Sequence, residues 1–174
     1  MWFKYDGTQS AGSSDKPYGL LLARGLNSYS GSSTSAGAFL GLSGTDPSSS
    51  ALTWKPRGDS ASTVAGSSVV GLGWNHVVVT FSGTTHQLYL NGALEATSSG
   101  MPSALPTTVG EAFLLGAYSS YFAGDDGSGY YIKNPFSGAL GAVQIYNRAL
   151  TSTEVLQNCW ALKDRYAGAN CAAP

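Results

Sequence analysis

The chain has 174 residues, 11% of them charged, and a net charge of −1; it is long enough for one self-sufficient core and presents no basic stripe for a phosphate backbone, which excludes nucleic acid as a partner. No run of about 18 or more apolar residues occurs, so no segment reads as a membrane-spanning helix. The 23 glycines, with abundant Ser and Thr, are the turn and edge residues of a many-turned β protein.

Trp2-Phe3-Lys4-Tyr5 reads as a strand already under way, and MWFKYDGT has no apolar core or cleavage site of a signal peptide. The polar stretch Asp6 to Pro17 leads to Tyr18 to Arg24, whose continuous apolar run predicts a buried strand. Asn27 to Gly37 is a Ser/Gly-rich loop, Ala38 to Ser43 another strand, and Leu52 to Lys55 a short strand halted by Pro56. Arg57 to Ser68 reads as a polar excursion that ends where Val69, Val70 and Gly73 lead into the middle of the chain.

From Trp74 to Ser82 large groups fall on both parities: Asn75, Val77, Val79 and Phe81 on one, Trp74, His76, Val78 and Thr80 on the other. A strand with two apolar faces belongs in the middle of a covered sheet. His86 to Asn91 alternates, with Leu88 and Leu90 opposite Gln87 and Tyr89 in parity, and Asn91-Gly92 supplies the two positive-φ residues of a tight hairpin. Ala93 to Thr97 completes an antiparallel meander.

Ser98 to Thr108 is irregular, and Ala112 to Ala117 is a strand. Tyr118 to Pro135 reads as an aromatic loop in which Tyr118, Tyr121, Phe122, Tyr130 and Tyr131 surround Gly124-Asp125-Asp126-Gly127. Phe136 to Tyr146 reads as the last long strand, where the parity change between Leu140 and Val143 predicts a bulge near Gly141. Thr151-x-x-Glu154 is a capping box, with Leu150 and Val155 placed as a hydrophobic staple, so a helix over about 151–163 is expected, followed by a tail from 167 to 174. Cys159 and Cys171 bracket that helix and tail. They read either as a disulfide closing a loop of about a dozen residues or as two free thiols, and without histidines at ligand spacing they are no zinc site.

Three segments, taken together, carry a family likeness. WNHVVVTFSGTTHQLYLNG and FSGALGAVQIYNRALTSTEV resemble the central and closing motifs of the laminin-G-like branch of the concanavalin A-like lectin/glucanase superfamily, and MWFKYDGT…GLLLARG resembles its early strands. The resemblance implies an all-β fold, a two-sheet antiparallel jelly-roll sandwich with one short C-terminal helix, as a single domain over 1–174. Members of the family carry a further strand ahead of the position that is Met1 here, which implies either a longer polypeptide or an edge completed by a neighbouring subunit. The ending EVLQNCWALKDRYAG resembles tails of such domains in tailed-phage structural proteins. Function is accordingly expected to be a non-catalytic module binding a carbohydrate or protein surface, extracellular or on a virion, with a structural or decoration subunit as the alternative.

Glucanases of the superfamily need two carboxylates about 5 Å apart. The chain lacks the E-x-D-x-x-E pattern, its glutamates Glu95, Glu111 and Glu154 are dispersed, and the side chains of adjacent Asp125 and Asp126 would diverge on an extended backbone. No catalytic residue is assigned. His76 reads as a packed strand residue, and His86 has no serine or cysteine context for a triad. For calcium, Asp125 and Asp126 with Asn134, and Asp59 from another loop, offer hard oxygen ligands; the other reading is that Asp-Asp-Gly is simply a turn. For a sugar, flat rings beside polar groups are needed, and Tyr118, Tyr121, Tyr130, Tyr131 and Asn134 supply both. Trp54 and Arg57 form a second candidate pair, with Trp54 also read as core.

Overall fold

The computed structural model describes residues 1–7, 19–24, 27–28, 37–44, 46, 48–56, 62–105, 113–124, 127–133 and 135–174. In chain order the strands are β1 (Trp2–Tyr5), β2 (Gly19–Arg24), β3 (Asn27–Ser28), β4 (Ala38–Leu42), β5 (Ala51–Lys55), β6 (Val64–Val69) and β7 (Gly73–Ser82). There follow β8 (Thr85–Leu90), β9 (Ala93–Ser98), β10 (Phe113–Leu115), β11 (Tyr118–Gly124), β12 (Gly127–Lys133) and β13 (Gly138–Leu140), then helix α1 (Ser152–Leu162) and a 3-10 turn, Lys163–Arg165.

Two antiparallel five-stranded sheets, ordered β13-β1-β7-β8-β9 and β10-β2-β4-β5-β6, make the jelly-roll sandwich, and a three-stranded sheet β12-β11-β3 stands beside them. Phe3, Tyr5, Val77, Leu88 and Leu90 of the first sheet pack with Leu21, Leu40, Leu42, Leu52, Trp54 and Val64 of the second. Each such leucine or valine, withdrawn from water, stabilises the fold by about 1.5–3 kcal/mol.

The first sheet is covered on its other face too, which is why β7 is apolar on both parities. Val78 packs against Tyr89, Leu150 and Val155, the last from α1. The ring of Tyr166 stacks on Trp2 at 4.8 Å and lies 4.5 Å from Trp74. Helix α1 starts as its sequence dictates: Thr151 Oγ1 accepts from Glu154 N, and the Glu154 carboxylate accepts from Thr151 N. Leu150 and Val155 are both buried in one cluster, as a staple requires. Arg148 adds a two-pronged ion pair to Glu154, at 2.6 and 2.9 Å, and holds that carboxyl down at about 2. A disulfide joins Cys159 to Cys171.

The tight turn falls at Asn91-Gly92, with φ of 53° and 88°. Its asparagine also ties elements together: His76 N donates to Asn91 Oδ1, Asn91 Nδ2 donates to Asn75 Oδ1, and Ala172 N donates to Asn91 O.

Three sequence expectations are corrected. The stretch read as a polar excursion contains β6, an edge strand whose Val64 is buried while Ser67, Ser68 and Val69 are exposed; an edge strand with one wet face needs few apolar residues. The Tyr118 to Pro135 loop contains the antiparallel pair β11–β12, in full register from Tyr118↔Lys133 to Gly124↔Gly127. The last strand is short. Its ladder ends where Trp2 accepts from Gly141 N and donates to Ala142 O, two residues facing one, so the bulge read at Gly141 is where the strand stops pairing. Beyond it no described strand pairs with the chain, and Ile145 is 72% exposed.

Candidate functional site

The hairpin β11–β12 places Tyr121 directly opposite Tyr130, and Tyr118 opposite Lys133; Tyr131 stands opposite Ser120. On its other side β11 pairs in parallel with β3, through Ser120↔Asn27 and Tyr121↔Ser28. The ladder fixes the order of the four tyrosines of the predicted site along the hairpin and divides them between its faces, Tyr121 and Tyr130 at positions of one face and Tyr118 and Tyr131 at positions of the other. Asp125, Asp126 and Asn134 lie outside the described residues, as do Arg57 and Asp59. Among the described residues no cluster of three or more His, Cys, Asp or Glu could hold a metal.

The remaining polar residues singled out in the sequence have structural settings. Trp54 is core: its Nε1 donates to His86 Nδ1 at 3.1 Å, and the other ring nitrogen of His86 lies 3.0 Å from Pro102 O. That arrangement fixes His86 as the Nε2–H tautomer, and burial lowers its pKa. His76 is 3% exposed and packed on Trp2 at 5.0 Å. Its Nδ1 and Trp2 Nε1 are buried without a hydrogen-bond partner among the described residues. Of the glutamates, Glu95 accepts from Ser68 N, Glu154 serves the cap, and Glu111 lies outside the described residues.

A second surface was not legible in the sequence. Strand β7 extends to Ser82, but β1 accompanies it only to its first residues: Val77 N donates to Met1 O at 2.9 Å and Met1 N donates to Val77 O at 2.7 Å. Backbone groups alternate in direction along a strand, so Val79 and Phe81 turn their N–H and C=O toward the same side as Val77. Among the described residues no strand pairs with them there. On the far side of the β1 line, residues 143–147 continue past Met1. Between the two runs lies a groove of about 370 Å³ lined by Met1, Leu40, Val79, Phe113, Ile145 and Leu150 among others. Met1 lines it, and burial holds the Met1 α-amino group down to about 5. Burial, then the nearby α-ammonium, push His76 down to about 3. A signal existed in the unequal lengths of the two runs, four residues against ten, but only pairing shows which half of β7 is left over.

A covered two-sheet sandwich with aromatic residues on a β-hairpin and a groove beside a strand edge is the build of a binding module in the general sense. The family comparison agrees. A family profile of the concanavalin A-like lectin/glucanases superfamily, of laminin-G type, matches residues 1–156. The chain belongs to that family, whose laminin-G-like domains are typically non-catalytic and often extracellular. No curated protein matches the chain.

Proposed function

We propose that the chain is a non-catalytic module that binds a carbohydrate or protein surface through the β11–β12 hairpin, in an extracellular setting. The observation that carries this reading is the ladder that sets Tyr121 against Tyr130 on one face of the hairpin, with Tyr118 and Tyr131 at positions of its other face. Sugars present apolar C–H faces and hydroxyl rims, and tyrosine meets both with one ring and one hydroxyl. Asn134 follows the hairpin and would add an amide. Asp125 and Asp126, between the paired Gly124 and Gly127, would offer oxygens to Ca²⁺, and binding measured with and without a chelator tests that contribution. The disulfide supports an oxidising compartment. On a glycan array the chain should give discrete positives that the Tyr130→Ala, Tyr131→Ala double variant loses. A blank array, or equal signals from the variant, would count against the hairpin.

The half of β7 along which no described strand pairs on the β1 side favours a second reading: a structural or decoration subunit of a virion or other extracellular assembly, its jelly roll completed by a neighbouring chain. Light scattering of the purified chain tests it, with oligomers expected and a monomer at every concentration counting against it.

A further inference from the structure

We propose that Asn91 is a covalent-modification site gated by the Cys159–Cys171 disulfide: reduction frees the Asn91-Gly92 turn, and Asn91 then converts itself to aspartate and isoaspartate, which makes the loosening of the C-terminal tail permanent. Asn91 is the one asparagine of the chain followed by glycine. That pairing is the reactive one, because glycine has no side chain to shield its backbone nitrogen and readily adopts the conformations that bring it onto the preceding carboxamide.

The modification itself needs only water. Gly92 N attacks Asn91 Cγ, its proton passes to the departing Nδ2, and the Cγ–Nδ2 bond breaks to release ammonia, leaving a five-membered succinimide. Water then adds to one of the two carbonyl carbons of that ring. If the bond from Cγ to Gly92 N opens, aspartate results. If the original peptide bond opens instead, the chain continues through Cγ as isoaspartate, with one extra backbone atom.

In the oxidised chain the asparagine is held at each of its polar atoms. Asn91 N donates to His76 O at 2.7 Å, His76 N donates to Asn91 Oδ1 at 2.8 Å, and Asn91 Nδ2 donates to Asn75 Oδ1 at 3.2 Å. The carboxamide is thus anchored on β7, and it must leave both partners before Cγ can swing onto Gly92 N. The fourth atom, Asn91 O, accepts from Ala172 N at 2.7 Å. Here the disulfide enters. Ala172 follows Cys171, and the other cysteine lies over the turn: a Cβ at Gly92 would stand 2.7 Å from Leu156 Cδ1 and 3.6 Å from Cys159 Cβ. Helix α1 and the tail therefore press on a turn that β7 already holds. A dithiol reductant exchanges with the disulfide, closing to its own disulfide as Cys159 and Cys171 become thiols, and leaves Ala172 on hydrogen bonds alone. The product cannot restore the lock, because an aspartate carboxylate has no donor for Asn75 Oδ1. Isoaspartate also lengthens the two-residue turn on which the register of β8 and β9 depends.

The test is peptide mapping by mass spectrometry after incubation of the chain at mildly alkaline pH, with and without dithiothreitol, beside the free peptide Leu-Tyr-Leu-Asn-Gly-Ala-Leu. The oxidised chain should gain the mass of an amide-to-acid conversion at position 91 far more slowly than the peptide. The reduced chain should convert about fivefold faster than the oxidised one, the worth of one backbone hydrogen bond withdrawn from the closed turn. Far-ultraviolet circular dichroism of the reduced chain should stay that of the parent, so that the gain is read from a folded chain. The double variant Cys159→Ser, Cys171→Ser should react at the reduced rate with or without reductant. Equal rates in the oxidised and reduced chains overturn the proposal, as does an oxidised chain that converts as fast as the peptide. Acceleration that appears only together with loss of the folded spectrum also overturns it, since the disulfide would then guard the whole fold and not the turn.

Discussion

Trp54 of β5 and His86 of β8 are joined across the sandwich, indole Nε1 to imidazole Nδ1 at 3.1 Å, with the histidine's other nitrogen engaged by Pro102 O at 3.0 Å. The two residues belong to different sheets, so this bond is a polar pin through an apolar core. Trp54→Phe removes the donor and leaves Nδ1 buried without one. Chemical denaturation should show a loss of about 1–3 kcal/mol, the cost of an orphaned buried acceptor plus a smaller ring. A loss no larger than that of a surface substitution would mean the pin contributes nothing.

Acid should weaken the fold before it reaches the carboxylate range. His76 titrates at about 3 in the folded chain against roughly 6.5 when unfolded. His86 is shifted in the same direction, and the Met1 amino group falls from 8.0 to about 5. In each case the unfolded chain binds the proton first. Stability is therefore fully present above about pH 8 and is lost as pH falls, at about 1.4 kcal/mol per pH unit for each group within its window. Melting temperature recorded from pH 8 to pH 4 should decline steadily, and His76→Gln should flatten the slope below about pH 6.5. A parent profile that is level from pH 7 to pH 4 would contradict the assignment of both histidines as neutral.

Gly141 makes room for the C-terminal aromatic clasp. A Cβ there would stand 2.7 Å from the Tyr166 hydroxyl, the same hydroxyl that accepts from Ala142 N at 2.7 Å. Gly141→Ala should push Tyr166 off Trp2 and Trp74 and destabilise by about 1–3 kcal/mol. Near-ultraviolet circular dichroism, which reports the packing of those rings, should change with it; an unchanged spectrum would show that the clasp can shift without loss.

Reduction of Cys159–Cys171 should cost about 3 kcal/mol in the chain-entropy account of a loop this short, and the effect should be local at first. The tail it holds carries Ala172, which donates to Asn91 O and accepts from Trp160 Nε1. Hydrogen exchange with and without reductant should show faster exchange at Ala172 and in the Asn91-Gly92 turn while β4 and β5 stay protected. Uniform acceleration would mean the disulfide supports the whole fold instead.

The parts of the fold that were legible are those set by neighbours in sequence. Asn91-Gly92 turns because both residues accept positive φ, Thr151 and Glu154 cap because three residues separate them, and β7 is central because both its parities are apolar. Strand β6 was missed because an edge strand over Val64 to Val69 buries only Val64, so its alternation is too weak to see. The hairpin was missed because glycines at 124, 127 and 129 break the apolar rhythm that marks strands, while backbone pairing does not require it. Of the two candidate surfaces, the tyrosines were nameable from composition, but their opposition across a ladder was not. The groove could not be named at all, since Val79 and Ile145 are far apart in sequence and are related only through the line of β1.

The pinning of both chain ends to one corner also determines how the domain can be rewired. Met1 is bonded to Val77, Val77 stands opposite Leu90, and Ala172 is bonded to Asn91, the next residue. At about 4.8 Å between adjacent strands, the first and last ordered bonds sit on neighbouring rungs. A circular permutant whose old ends are bridged by a linker of about ten residues, with new ends opened at the exposed Gly83-Thr84 turn, would thus keep every strand in place, and the domain could be spliced into a loop of a host protein without prising the host apart.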